Sequence, residues 1–214
     1  MKYKIEDLVR EVRIALDHNM ESGQLLELGD VDTLAFNDIV TSKIADAARI
    51  VESQCPIYLL DSGKPFGDNI SWPSRVGHGM GWIHLPDDFL RLVTFQMSDW
   101  SYAVNTPINE TDPLYAQQHS RYAGIKGNPQ RPVVAIVQQP IGLVLEFYSC
   151  EAGENAYIKY ARYIPMPRVK DGTIELCEKL RSPIVYYTAY LTALSIGEGD
   201  LAQKMLNISN ELTK

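Results

Sequence analysis

A cationic excess is the first thing this sequence lacks. Lys and Arg total 20 against 27 Asp and Glu, which leaves a formal net charge of −7. A protein that grips nucleic-acid phosphates needs a basic surface, so this balance argues against one. Cysteine is scarce too: Cys55, Cys150 and Cys177 are an odd number without CxxC spacing. They make neither a disulfide framework nor a thiolate zinc site, and read as reduced, buried thiols in an intracellular setting.

Long apolar runs are also missing. The opening MKYKIEDLVREV has no signal-peptide core. The longest uncharged helical stretch, residues 183 to 197, is too short to cross a bilayer. The expectation is a soluble protein kept in a cytoplasm, with no membrane partner. The 4 histidines, His18, His78, His84 and His119, stand at no ligand spacing, so neither a metal nor another cofactor is expected.

What remains is an ordinary globular composition, 45% hydrophobic and 22% charged over 214 residues. A chain of that length buries about 70% of its unfolded surface and needs no covalent staple. Ile5, Leu8, Val9, Val12, Ala15 and Leu16 repeat at helical spacing over residues 5 to 17, with acids in the first turn. A second helix is predicted from an Asp32 cap to Cys55, where Pro56 stops it. From Ile57 the period changes. Residues 61–81 are loop-like, and strand-like runs follow at 82–85, 90–97, 132–137, 142–149 and 156–164. Residues 101–131 read as a long polar connection, the kind usually reserved for function or interfaces. PRVKDG turns the chain before a short strand at 173–176. Ser182-Pro183 then reads as a cap and first-turn proline, and Asp200 as the cap of a last helix.

The predicted class is α+β: a bundle of four helices from the two chain ends, with an inserted antiparallel β section carrying long loops. The helical bundle is assigned to residues 1–56 and 180–214, the β section to 57–179. Residues 184–196 offer no polar face. Hydrophobic all round means buried all round, and the missing cover comes either from the β section or from neighbouring subunits.

The search for chemistry finds no catalytic constellation, and no enzyme is expected. Asp87 and Asp88 are adjacent in LPDDF, so an extended chain points them to opposite sides, where they cannot share a proton. Pro86 sets the backbone of a corner, and an Asp can bond back to nearby amides. SGKPFG lacks a phosphate-loop frame. Cys150 has no base fixed beside it, and Ser62 and Ser195 have no GxSxG context. AYIKYARYI interleaves aromatics with Lys159 and Arg162, which a half-exposed strand also does. Two rival readings follow. One is a small cytosolic hydrolase with a pocket near residues 61–88, lined by His84, Asp87 or Asp88. The other is a monomeric nucleic-acid-binding module using the Lys159–Arg162 strand.

An ordered set of segments resembles one family. DLVREVR, IHLPDDFLRLV (83–93), GLVLEFYS (142–149), YARYIPMP and SPIVYYTAYLTALSIGEGD (182–200) together resemble the head-to-tail adaptor, or connector, proteins of short-tailed bacteriophages. The resemblance includes those of their gut Bacteroidales relatives, phages or prophages, where the adaptor is also called a ring or tail tubular protein. The resemblance covers residues 4–213. It implies a non-enzymatic virion protein at the head–tail junction, made in a bacterial host cytoplasm. Such proteins form a homo-oligomeric ring, usually of twelve subunits, beneath the portal. They extend the channel for DNA ejection and dock the next tail or ring protein. DNA passes without specific binding, and an acidic lining suits that passage. The residues expected at subunit or portal contacts are Tyr186, Tyr190, Leu194, Leu201, Met205 and Ile208. The longer loops at 61–81 and 101–131 depart from the family's shorter members.

Overall fold

The structure, a computed structural model, describes residues 1–16, 35–67, 69–73, 79–120, 122, 124–148, 150–151 and 155–214. The chain divides into two compact units, Met1–Asp61 with Met166–Lys214, and Ser62–Pro165.

The first unit holds α1 (Ile5–Ala15) and α2 (Phe36–Gln54), with α4 (Arg181–Ser195) and α5 (Gly199–Leu212) from the other chain end. Helix α4 packs against the other three. Leu8, Val12, Val40, Ile44, Ala47 and Ala48 repeat every three or four residues, and their burial supplies the core. Ala189 and Ala193 are fully buried on α4, where small side chains let neighbouring helices approach closely. The link to α5 is a helix stop read directly from hydrogen bonds. Glu198 N–H donates to Ala193 C=O and Gly197 N–H to Leu194 C=O, with Gly197 at φ +83°. Ser209 Oγ then donates to Pro183 C=O at 2.9 Å, which ties the returning helix to the start of α4. A small antiparallel sheet, in the order β1-β10-β9, completes this unit: β1 is Lys2–Lys4, β9 Val169–Lys170 and β10 Thr173–Glu175. Asp171 and Gly172 both have positive φ at its hairpin, as a two-residue turn requires.

The second unit is built from two sheets. One runs β2-β8-β4, with β2 Lys64–Pro65, β8 Ile158–Pro165 and β4 Phe89–Met97. The other runs β3-β7-β6-β5, with β3 Gly81–His84, β7 Gly142–Phe147, β6 Val134–Gln139 and β5 Ile108–Asn109. Their shared core contains Ile83, Leu92, Phe95, Met97, Val134, Leu145, Phe147 and Ala161. Phe95 lies tilted on Phe147 at 5.7 Å and edge-on to Trp100 at 5.6 Å, the offset geometries aromatic rings prefer.

The predicted architecture is corrected by these elements. The protein is α+β, but five helices accompany ten strands in three sheets among the described residues, so the β structure is no small insert in a four-helix bundle. One strand pair, β5 with β6, is parallel, so the β section is not purely antiparallel. The 101–131 connection is structured as well, holding β5 and the short helix α3 (Pro113–Gln118), which Asp112 caps at Leu114 N–H. Strands of two or three residues are too short for alternation to register, which is why β1, β2, β5 and β9 escape a periodicity argument. Two predicted caps also move. Ser182 and Pro183 lie inside the first turn of α4, because a 3₁₀ turn at Glu178–Leu180 runs straight into it. Asp200 lies in the first turn of α5, whose cap position is Glu198. Asp32, His18 and His78 lie outside the described residues.

Candidate functional site

Helix α4 exposes a face that carries no charge. At 100° per residue, Ile184, Val185, Thr188, Ala189, Thr192 and Ala193 occupy one half of the helix, and all are buried. The opposite half carries Tyr186, Tyr187, Tyr190 and Leu191, all half-buried, and Leu194, which is 49% exposed. Tyr187 and Tyr190 meet edge to face at 5.3 Å. Burial, and then Tyr190, push the Tyr187 hydroxyl pKa above its ordinary value. This arc of three tyrosines and two leucines is the part of α4 that stays partly exposed among the described residues.

The residues expected at contacts fall into two groups. Tyr186, Tyr190 and Leu194 lie together on the arc. On α5, Leu201 and Ile208 are half-buried, while Met205 is only 7% exposed and belongs to the core of its own chain. Tyr187 and Leu191 complete the arc and were absent from the expected contact set. A helical-wheel count over residues 184–196 is the signal that finds them.

LPDDF is a corner between sheets. Phe89 N–H donates to Pro86 C=O at 2.9 Å, closing a turn that carries the chain from β3 in one sheet to β4 in the other. The sequence suggested that Asp87 or Asp88 would accept from nearby amides, but Asp88 bonds a side chain instead. It accepts from Tyr163 Oη at 2.7 Å, lies 3.9 Å from Lys64 Nζ, and holds the tyrosine's pKa up at about 12 together with burial, the larger cause. His84 is exposed on β3 opposite Val144, and Asp87 is exposed on the turn. Burial pushes the Cys150 thiol up to about 12, the reverse of what activates a nucleophile. Ser195 Oγ donates to the carbonyl of Leu191 at 2.9 Å. Among the described residues, no group of three or more His, Cys, Asp or Glu side chains could hold a metal ion. Nor is any described helix long and apolar enough to cross a membrane.

One polar cluster has no sequence signal. Glu146 on β7 is buried, and accepts from Tyr148 Oη, from Gln139 Nε2 at 2.7 Å and from Tyr115 Oη at 3.4 Å. Tyr115 belongs to α3, so this carboxylate pins the 101–131 connection onto the sheet. His119 stacks edge-on against both tyrosines at 5.1 and 5.7 Å. The cluster anchors a loop. No protein-family model matches the chain, and no curated protein matches it either.

Proposed function

We propose that this protein is a structural subunit of a bacteriophage virion. Identical copies form a ring at the head–tail junction, extend the portal channel for genome passage and dock the tail, without enzymatic activity. The observation that carries the reading is the arc Tyr186, Tyr187, Tyr190, Leu191 and Leu194 on α4. An uncharged helix face that stays partly exposed among the described residues is what a neighbouring copy would cover. Tyrosines suit that position, having an apolar body and a hydroxyl that reaches a polar rim. The resemblance of the ordered sequence segments to head-to-tail adaptors supports this choice of assembly.

The test is co-expression with the portal protein of the same genome, followed by electron microscopy of the purified complex. Rings stacked on the portal are expected for the native sequence. Leu194→Asp is expected to abolish stacking while leaving the thermal midpoint of the free chain within a degree or two, since surface changes typically cost under about 0.5 kcal/mol. Absence of stacked rings with the native chain, or unimpaired rings with Leu194→Asp, overturns the reading.

A further inference from the structure

Residues 157–162 of β8 and its approach, Tyr-Ile-Lys-Tyr-Ala-Arg, cannot be placed by alternation. Strict alternation would put Tyr157, Lys159 and Ala161 on one face and Ile158, Tyr160 and Arg162 on the other. In the structure, Ile158 stands opposite Met97 and Ala161 opposite Phe95, and all four pack in or against the aromatic core. Two inward residues three apart are possible only because the register slips between Gln96 and Met97. Lys159 is the extra residue. This bulge resets the phase, so that Tyr157, Tyr160 and Arg162 all face away from the core with Lys159 exposed beside them.

The result is a compact surface strip. Tyr157 is 66% exposed and Tyr160 52%. Lys159 Nζ lies 5.7 Å from the centroid of the Tyr160 ring. Arg162 Nη1 donates to the carbonyls of Gly63 at 3.1 Å and Ser62 at 3.5 Å, which holds the guanidinium plane while its other nitrogens carry further donors. The cross-strand neighbours are Gln96 opposite Tyr160, and Thr94 and Pro65 on the two sides of Arg162, none of them charged. No Asp or Glu occurs between residues 155 and 165; the acids nearest in sequence are Glu151 and Glu154, and Asp99 follows Ser98, whose N–H donates to the Tyr157 carbonyl at 2.8 Å. Asp88, at the far end of β4, is engaged with Tyr163 and Lys64.

We propose that this strip is a contact site for single-stranded nucleic acid, with Tyr157 and Tyr160 as stacking platforms and Lys159 and Arg162 as phosphate contacts. Aromatic faces between cations on a rigid strand match how unpaired bases and their backbone are held together. A duplex keeps its bases stacked on one another and cannot use the tyrosine faces. The net charge of −7 is a property of the whole chain. The field at the strip is set by charges within about a Debye length, roughly 8–10 Å. The proposal does not rest on the ring reading, which depends on α4.

The test is fluorescence anisotropy of the full-length protein with a labelled oligothymidine of about twenty nucleotides at low salt, beside a duplex of equal length. The single strand should bind better than the duplex. The logarithm of its affinity should fall with the logarithm of salt at a slope near −1.4, for two phosphates at about −0.7 each. Tyr157→Ala and Tyr160→Ala should each weaken binding roughly fivefold or more, while Tyr160→Phe, which keeps the ring, retains it. Lys159→Gln with Arg162→Gln should flatten the salt slope. Tyr102→Ala, at an exposed tyrosine elsewhere, should change nothing. No binding at low salt overturns the proposal. So does duplex binding as tight as the single strand, or binding indifferent to the tyrosines.

Discussion

Glu52 shows how much one buried side chain can decide. Its carboxyl, 2% exposed on α2, accepts the Cys177 N–H at 2.9 Å. Burial raises its pKa above the ordinary 4.5, and the hydrogen bonds from Cys177 only partly offset that. A carboxyl with a raised folded value favours the fold when neutral. Its contribution is complete below pH 4.5 and is lost as the pH climbs through the raised value. Glu52→Gln keeps an acceptor for Cys177 and removes the charge. It is expected to be more stable than the native chain at pH 8, with the gap closing near pH 4, in urea melts at the two pH values. Glu146 is a second buried acid, and three side-chain donors surround it. Tyr148→Phe removes one of them and should lower the urea midpoint by an amount equivalent to about 1–3 kcal/mol. Neither residue announces itself in the sequence, since burial of an acid depends on what folds over it.

Among the elements, α4 is the one whose character was most legible. Fourteen consecutive residues within Arg181–Ser195, Ser182 to Ser195, carry no charge, and a 3.6 period divides them into a buried half and a partly exposed arc. Its end is equally local. Gly197 has φ +83° and open space where a Cβ would go, so Gly197→Ala isolates the cost of the left-handed backbone. A loss of about 1 kcal/mol by thermal or chemical denaturation is expected. Strands β4, β6, β7 and β8 fall within a residue or two of their sequence assignments, because each is long enough to show β-branched and aromatic alternation. The phase within β8 was not legible. A one-residue bulge at Lys159 is invisible to any periodicity, yet it decides which side chains meet water.

At the scale of the whole molecule, the charge pattern separates two kinds of contact. The α4 arc holds no ionic group, so an assembly built on it should be indifferent to salt from about 0.05 to 0.5 M, or strengthen slightly. Sedimentation or light scattering of the portal complex across that range checks this; dissolution by moderate salt would point to an ionic interface instead.

Residue chemistry alone determined where the long helices and strands run, that α4 has no charged face, and that LPDDF turns a corner. Those are consequences of periodicity and of proline's fixed backbone, both local. Only the tertiary structure decided that strands make up three sheets, that the 101–131 connection is pinned by Glu146, and that Met205 is sheltered by its own chain. Pairing of two-residue strands, burial of an acid and the phase of a bulge all depend on residues distant in sequence, so no local pattern encodes them.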